Sequence, residues 1–475
     1  MEQDLHRKTK IVCTIGTASG SPRIVEKLVR AGMNVARINL SHGNKEKHSS
    51  YINTVRTVSD KLGVPVAVLV DLPGPRYRTG LLKDGQVDLK KGALFVLTTR
   101  SVPGDRNEVS LNMPNLVKDV ASGSKILVDD GAIHLKVRSA TDTDIACTVM
   151  ADCVLRPRKG IAAPGVKLSA PLITEDMRQH IEFAVEHQVE YVALSYVSQA
   201  DDVSQVKTIM ANRGLRAALI AKIEREEAVR NFDTILKVSD GVMVARGDLG
   251  VEIPLERVPL VQKEIIRRCN HDGKPVITAT QMLQSMTDAS RPTRAEVADV
   301  ANAIWDGSDA IMLSSETSIG RYPVEAVTMM SRIAKETETA LPYERMMAEN
   351  GNHLEPQTDD AIAYDACHTA HQVGAQVILA FSESGSTAWR VCKYRPKAPI
   401  VAMTPHESVR RRLVLAWGVY PYLMSSSSQI DDLFERGSDL AQQLRLAKKG
   451  DRVVITGGVP VGVAGTTNML KVQCV

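Results

Sequence analysis

Short, nearly continuous apolar runs alternate along the chain with longer segments whose apolar residues recur at helical spacing. The runs are KIVCTI, NVARINL, VAVLVDL, YVALSYV, ALIAKIE, GVMVAR, PVITAT and DAIMLS. Unbroken apolar runs of this length fit parallel strands covered on both faces. Amphipathic stretches such as SPRIVEKLVRAG and ERVPLVQKEIIRRCNHDG lie between several of them. Eight strand–helix repeats are the count of a TIM (β/α)8 barrel, so an α/β fold of that kind is expected.

Two intervals break the pattern. Between VAVLVDL and YVALSYV, the segments QVDLKKGALFVLTT and KILVDDGAIHLKVRSATDTDIACTV alternate polar with apolar residues and contain turns, which predicts a small all-β unit. Its flanks, DLPGPRYRTG and RKGIAAPGVKLSAP, are rich in Pro and Gly and suit two hinges of an inserted lid. Past Leu341 a polar linker leads to VILAF, PIVAM, VYPYL and RVVIT, alternating with helices such as DDAIAYDACHTAHQV. That series predicts a C-terminal open-sheet α/β domain. The expected division is barrel over 1–72 and 169–342, lid over 73–168 and C-terminal domain over 355–475.

Composition narrows the function. With 59 basic and 55 acidic residues the net charge is +4, which gives no reason to invoke nucleic acid. The tract Arg410, Arg411, Arg412 reads as a solvated helix face or a subunit contact. Seven cysteines without a CxxC pair favour reduced thiols and a cytoplasmic location. The N-terminus MEQDLHRKTK lacks the apolar core of a signal peptide, and no stretch approaches the ~20 apolar residues of a membrane span.

The carboxyl ends of the predicted barrel strands, where active groups of such barrels sit, are unusually polar. They carry Arg37, Asn39, Ser41, Asp71, Ser195, Lys222, Glu224, Arg246, Asp248, Thr280 and Glu316. Period-two alternation aims Lys222 and Glu224 the same way, into the barrel or out to solvent. Glu224 and Asp248 suit Mg²⁺, and Lys222 and Arg37 suit a phosphoryl group. Gly247 permits close approach of an anion to backbone amides. A plain ionic network closing the barrel mouth is the other reading of the same charges.

The segments TKIVCTIG, GMNVARINLSHG, LIAKIEREEAV, DGVMVARGDLGVEIP and ITATQMLQSMTDASRPTRAEVADVANAIWDGSDAIMLSSET together resemble the pyruvate kinase family. The likeness continues through VDDG and SESGSTAWRVCKYRPKAPIVAMT, so it covers nearly the whole chain. It implies transfer of a phosphoryl group from phosphoenolpyruvate to ADP, giving pyruvate and ATP in glycolysis. It further implies Lys222, Thr280 and Arg37 as catalytic residues, Gly247 and Asp248 as receivers of the substrate carboxylate, and Mg²⁺ (or Mn²⁺ in its place) on Glu224 and Asp248. Asn39, Ser41, His42, Arg78 and Lys159 would touch the nucleotide, although Asn39 and His42 also suit loop capping.

The family's potassium site would use Asn39, Ser41, Asp71 and the Leu72 carbonyl. Arg76 stands where potassium-dependent members resembling DTKGPEIRTG have a glutamate, and its charge is expected to make K⁺ unnecessary; the other reading is a side chain that simply faces solvent in the hinge. Thr17, Ser169 and Ser315 depart from the family pattern without removing a reacting group. The loop SESGST, with Ser382, Ser384, Gly385, Ser386 and Thr387, resembles the family's effector loop and implies a phosphorylated allosteric effector; Glu383 disfavours fructose 1,6-bisphosphate. Ser and Gly in this loop equally suit a polar turn that caps the next helix. Family membership also implies a homotetramer. An enolate-acting Mg²⁺ lyase barrel and a catalytically silent metabolite-binding regulator are the competing readings.

Overall fold

The computed structural model describes residues 7–427, 429–463 and 465–475, so part of the N-terminal stretch MEQDLHRKTK lies outside the described residues. Eight parallel strands close a barrel: β1 (Lys10–Thr14), β2 (Val35–Asn39), β3 (Ala67–Leu72), β4 (Tyr191–Leu194), β5 (Ala218–Ile223), β6 (Gly241–Ala245), β7 (Val276–Ala279) and β8 (Ala310–Leu313). All eight apolar runs become these strands. Each pairs with its chain neighbour, and β1 pairs with β8 to complete the cylinder.

Strand alternation divides the side chains. Val12, Val35, Leu69, Ile220, Met243, Ile277 and Met312 form one buried cluster inside the barrel. Ile11, Ile38, Val68, Val70, Leu219 and Val244 pack instead with the surrounding helices. Two residues beyond the inward Val35, Leu69, Ala193 and Ile220 come Arg37, Asp71, Ser195 and Lys222. The interior is therefore apolar at its base and ionic at its mouth.

The inserted lid holds a seven-stranded sheet and a two-stranded pair, with Phe95, Leu97, Ile126, Leu135, Val137 and Ile145 in its core. One four-residue helix, Leu116–Asp119, interrupts the expected all-β unit. The connections to the barrel are themselves paired: Tyr77–Arg78 runs antiparallel to Gly160–Ala162, with Gly160 opposite Arg78.

The segment after Leu341 is not a bare linker. Tyr343–Gly351 forms a helix, because Tyr343, Met346 and Met347 fall on one face and pack on the C-terminal core. Beyond it, β9 (Ile378–Phe381), β10 (Ile400–Thr404), β11 (Val419–Leu423) and β12 (Arg452–Gly458) form a parallel sheet. A fifth strand, β13 (Thr467–Cys474), adds antiparallel to β12 at the edge. Its half-exposed sequence, TNMLKVQC, carries too little apolar signal to announce a strand.

The C-terminal domain also seals the barrel's base. Val414 and Leu415 belong to the cluster inside the barrel. Arg395 makes a buried ion pair of 3.0 Å with Asp309. Arg410 donates to the Gly63 carbonyl at 2.8 Å, and Arg411 pairs with Asp60 at 3.1 Å. Two arginines of the basic tract thus dock one domain on the other within a single chain. Among the described residues no helix is long and apolar enough to cross a membrane.

Candidate active site

Lys222 is 5% exposed at the end of β5, and its ammonium is surrounded by acceptors. Nζ donates to Ser195 Oγ at 2.7 Å and to Asp71 Oδ1 at 3.2 Å, and lies 2.7 Å from Glu224 Oε1. Arg37 grips the other Asp71 oxygen, with Nε and Nη2 each 2.8 Å from Oδ2, while its Nη1 donates to Thr14 Oγ1 at 2.9 Å. Burial pulls the Lys222 pKa down, but Asp71 and Glu224 reverse this and leave it above the ordinary lysine value. Lys222 and Glu224 therefore both face inward, as one of the two readings of their spacing requires.

Glu224 is buried at the head of the cleft. Its Oε2 accepts from the Tyr196 amide at 2.8 Å, and Oε1 is paired with the Lys222 ammonium at 2.7 Å. A buried carboxylate is costly unless cations neutralise it, and Asp248 adds a second negative charge near Glu224. Asp248 supplies a second, more exposed carboxylate. Among the described residues no cluster of three or more His, Cys, Asp or Glu is arranged to hold a metal. Two carboxylates fit Mg²⁺, whose remaining positions commonly go to water and substrate oxygens.

Arg76 enters from the outgoing hinge, with Nη2 3.9 Å from Asp248 Oδ1. Its side chain is one-third exposed and turned toward Asp248, not out into solvent. Together with Arg78, Lys159, Tyr196, Glu224 and Asp248 it lines a cleft of about 350 Å³ between lid and barrel. Lys159 is held by Asp129 at 2.9 Å, and Arg78 Nη1 donates to the Arg158 carbonyl at 3.1 Å.

Gly247, directly before Asp248, meets Thr280 of the next strand at the mouth. The Gly247 amide donates to Thr280 Oγ1 at 2.8 Å, and that hydroxyl donates to the Ala279 carbonyl at 2.6 Å. A Cβ on residue 247 would come within 3.3 Å of the same hydroxyl. Thr280 has φ of +67°, a left-handed conformation that threonine adopts only under constraint. Arg246 anchors it by donating to its carbonyl at 2.9 Å and pairing with Asp299 at 2.7 Å.

The other expected residues divide. Asn39 Oδ1 accepts from the Ser41 amide at 3.1 Å, and the His42 carbonyl meets His48 Nε2 at 2.7 Å, so this loop is capped from within. The Leu72 carbonyl already accepts from the Ser195 amide. Glu316 is fully buried and accepts from the Ser314 and Leu283 amides, a structural anchor. The loop 382–387 is likewise bonded to itself: the Gly385 amide donates to Ser382 Oγ and Ser384 Oγ to Ser386 Oγ. Thr387 pairs with Thr467, and Glu383 with His406. Of the departures, Ser315 Oγ meets the Gln284 side chain, and Ser169 bridges Asp119 and Asn115.

Comparison with known proteins decides the family. Residues 6–327 match the family model "Pyruvate kinase, barrel domain", and residues 360–473 match "Pyruvate kinase, alpha/beta domain". The chain belongs to the pyruvate kinase family. It is 47% identical over 474 residues to pyruvate kinase of Geobacillus stearothermophilus, covering 99% of this chain and 81% of that one. Pyruvate kinase of Clostridium acetobutylicum is 43% identical over 471 residues, covering 99% and 100%. A crystal structure of a pyruvate kinase from Cryptosporidium parvum superposes with a TM-score of 0.94 at 37% identity, covering 99% of this chain and 96% of that one.

Membership in the pyruvate kinase family makes the chain a phosphotransferase. Its site also holds groups that sequence reasoning passed over. In sequence Ser195 is only a polar strand end, yet it bridges Lys222 and Asp71. Tyr196, at φ +61°, turns its amide to Glu224; a left-handed tyrosine leaves no mark in sequence. Thr14 steadies Arg37 from the end of β1, whose centre is apolar.

Asp71 also ties the site to acid stability. Burial pushes its pKa up, but Lys222 and Arg37 outweigh burial and leave it below the usual 3.8. A depressed carboxylate pKa contributes stability above the unfolded value and loses it as pH falls through the folded value. Asp71→Asn is therefore expected to flatten the fall of unfolding free energy below about pH 4, measured by urea unfolding across pH. An unchanged slope would show that Asp71 is not held by these cations.

Proposed function

We propose that the chain transfers the phosphoryl group of phosphoenolpyruvate to ADP, giving pyruvate and ATP, with the reaction centred on Lys222. The observation that carries this is a buried ammonium, Lys222, paired at 2.7 Å with Glu224 and at 3.2 Å with Asp71 at the mouth of the barrel. Lys222 and Arg37 meet the phosphoryl oxygens, whose charge spreads as the bond from phosphorus to the enol oxygen breaks and the ADP β-phosphate oxygen attacks. Mg²⁺ on Glu224 and Asp248 would neutralise and align those oxygens. The Gly247 and Asp248 amides receive the substrate carboxylate. Thr280 turns its hydroxyl from Ala279 to pass a proton, through water, to the enolpyruvate carbon.

Arg78 and Lys159, on the paired connections of the lid, hold the nucleotide, together with Asn39, Ser41 and His42 at the barrel rim. Those lid cations favour kinase over an enolate lyase, which has no use for an ADP site. Arg76 supplies the positive charge that K⁺ otherwise brings, since Asp71 is already engaged by two cations. The same reading carries the division into barrel, lid and C-terminal domain at 1–72, 73–168, 169–342 and 355–475, and a cytoplasmic location. It also carries a homotetramer, for which Leu255, Leu260 and Ile319 offer exposed apolar surface on the barrel. A phosphorylated effector binds the loop 382–387 after displacing its internal hydroxyl contacts.

Lys222→Met is expected to lower kcat by about 10³-fold in a coupled assay of ADP-dependent pyruvate formation, because positioned charge dominates such catalysis. Retained turnover would remove the mechanism. In potassium-free and sodium-free buffer the enzyme should run at full rate. Activation by KCl of about tenfold, equivalent to ~1.4 kcal/mol, would refute the role given to Arg76. Calorimetric titration with sugar phosphates should give heats that Ser384→Glu abolishes; unchanged heats in that variant would move the effector site elsewhere.

A further inference from the structure

Arg225 follows Glu224 in the chain and has no part in the chemistry above, yet it is only 7% exposed. Its backbone is extended, at φ −121° and ψ 150°, and it precedes the helix Glu226–Arg230. Nη2 donates to the carbonyl of Val166 at 3.2 Å, in the returning hinge of the lid. Nη1 lies 3.8 Å from Glu227 Oε2. Nε is buried and has no hydrogen-bond partner among the described residues. The side chain forms a wall shared by the nucleotide cleft and a second cavity behind it, beside Gly165, Val166 and Lys167.

Glu227 and Glu252 offset the charge of this buried guanidinium, and its hydrogen bond goes to the hinge of the lid. Val166, with Leu168 and Ala170, packs against the apolar core of the lid, so the carbonyl gripped by Arg225 moves with that domain. At the other end, the Arg225 backbone is continuous with Glu224, which lies at the mouth with Lys222 and the Tyr196 amide. The outgoing hinge is tied to the same place: a Cβ on Gly74 would sit 2.5 Å from the Tyr196 ring, so that hinge passes directly over Tyr196. Both lid connections therefore rest on immediate neighbours of Glu224.

We propose that Arg225 is a positioning residue that latches the returning hinge, through the Val166 carbonyl, to the strand end bearing Glu224, and so sets the lid over the bound nucleoside diphosphate. The last clause rests on the nucleotide reading given above; the latch itself does not.

The test compares Arg225→Met and Arg225→Lys with the parent enzyme. Hydrogen–deuterium exchange of the ligand-free protein is read over residues 163–170, and KM for ADP and for phosphoenolpyruvate is measured alongside kcat. Arg225→Met is expected to raise exchange in that hinge by about threefold and KM for ADP by about fivefold, leaving KM for phosphoenolpyruvate within about twofold. Arg225→Lys, which keeps a cationic donor, is expected to recover part of both. Unchanged hinge exchange in Arg225→Met overturns the latch. Faster exchange with an unchanged KM for ADP overturns the link to the nucleotide. A fall in kcat alone, without either change, assigns Arg225 to Glu224 instead and also overturns the proposal. If Arg225→Met fails to fold, Arg225→Gln is read by the same criteria.

Discussion

The site depends on keeping one ammonium charged inside a protein. Taking Lys222 out of water costs several kcal/mol, which attraction offsets only where counter-charges are close and well oriented. Asp71 and Glu224 provide them, at 3.2 and 2.7 Å. At such separations an ion pair with effective dielectric near 20 is stabilised by about 4 kcal/mol or more. Asp71 is in turn shared with Arg37, so its position fixes two cations at once. Because three strands contribute these groups, the barrel must assemble before the charges can neutralise one another. Folding and site assembly are thus one event.

Strain collects around the same mouth. Tyr196 and Thr280, both at φ above +60°, stand at the carboxyl ends of β4 and β7, and each directs a polar group to a site residue. Across the cleft Asp129 and Asp130 in the lid are also left-handed, and Asp129 restrains Lys159. Conformations of this kind persist where surrounding contacts dictate them, here the Arg246 anchor and the packing of Tyr196 on Gly74.

The barrel was legible in sequence because both-side burial leaves unbroken apolar runs, and because period two converts the position of Ile220 into the direction of Lys222. Charged residues at strand ends pointed to a mouth, and the ionic groups Arg37, Asp71, Lys222 and Glu224 do come together there. What sequence could not convey was partnership. Glu316 anchors backbone and the basic tract grips the barrel, because a polar side chain looks alike in sequence whether its partner is a ligand or a neighbouring carbonyl. Elements with few apolar residues were missed for a related reason. The helix Tyr343–Gly351 and the edge strand Thr467–Cys474 owe their order to the domain they lie on, not to a strong pattern of their own.

The stopper formed by Val414 and Leu415 has a consequence for how this architecture can be divided. Those side chains complete the floor of a cylinder whose walls come from another part of the chain. A barrel parted from its last domain would present an open greasy well to water, so the two could be inherited as separate genes only if each acquired a new cover.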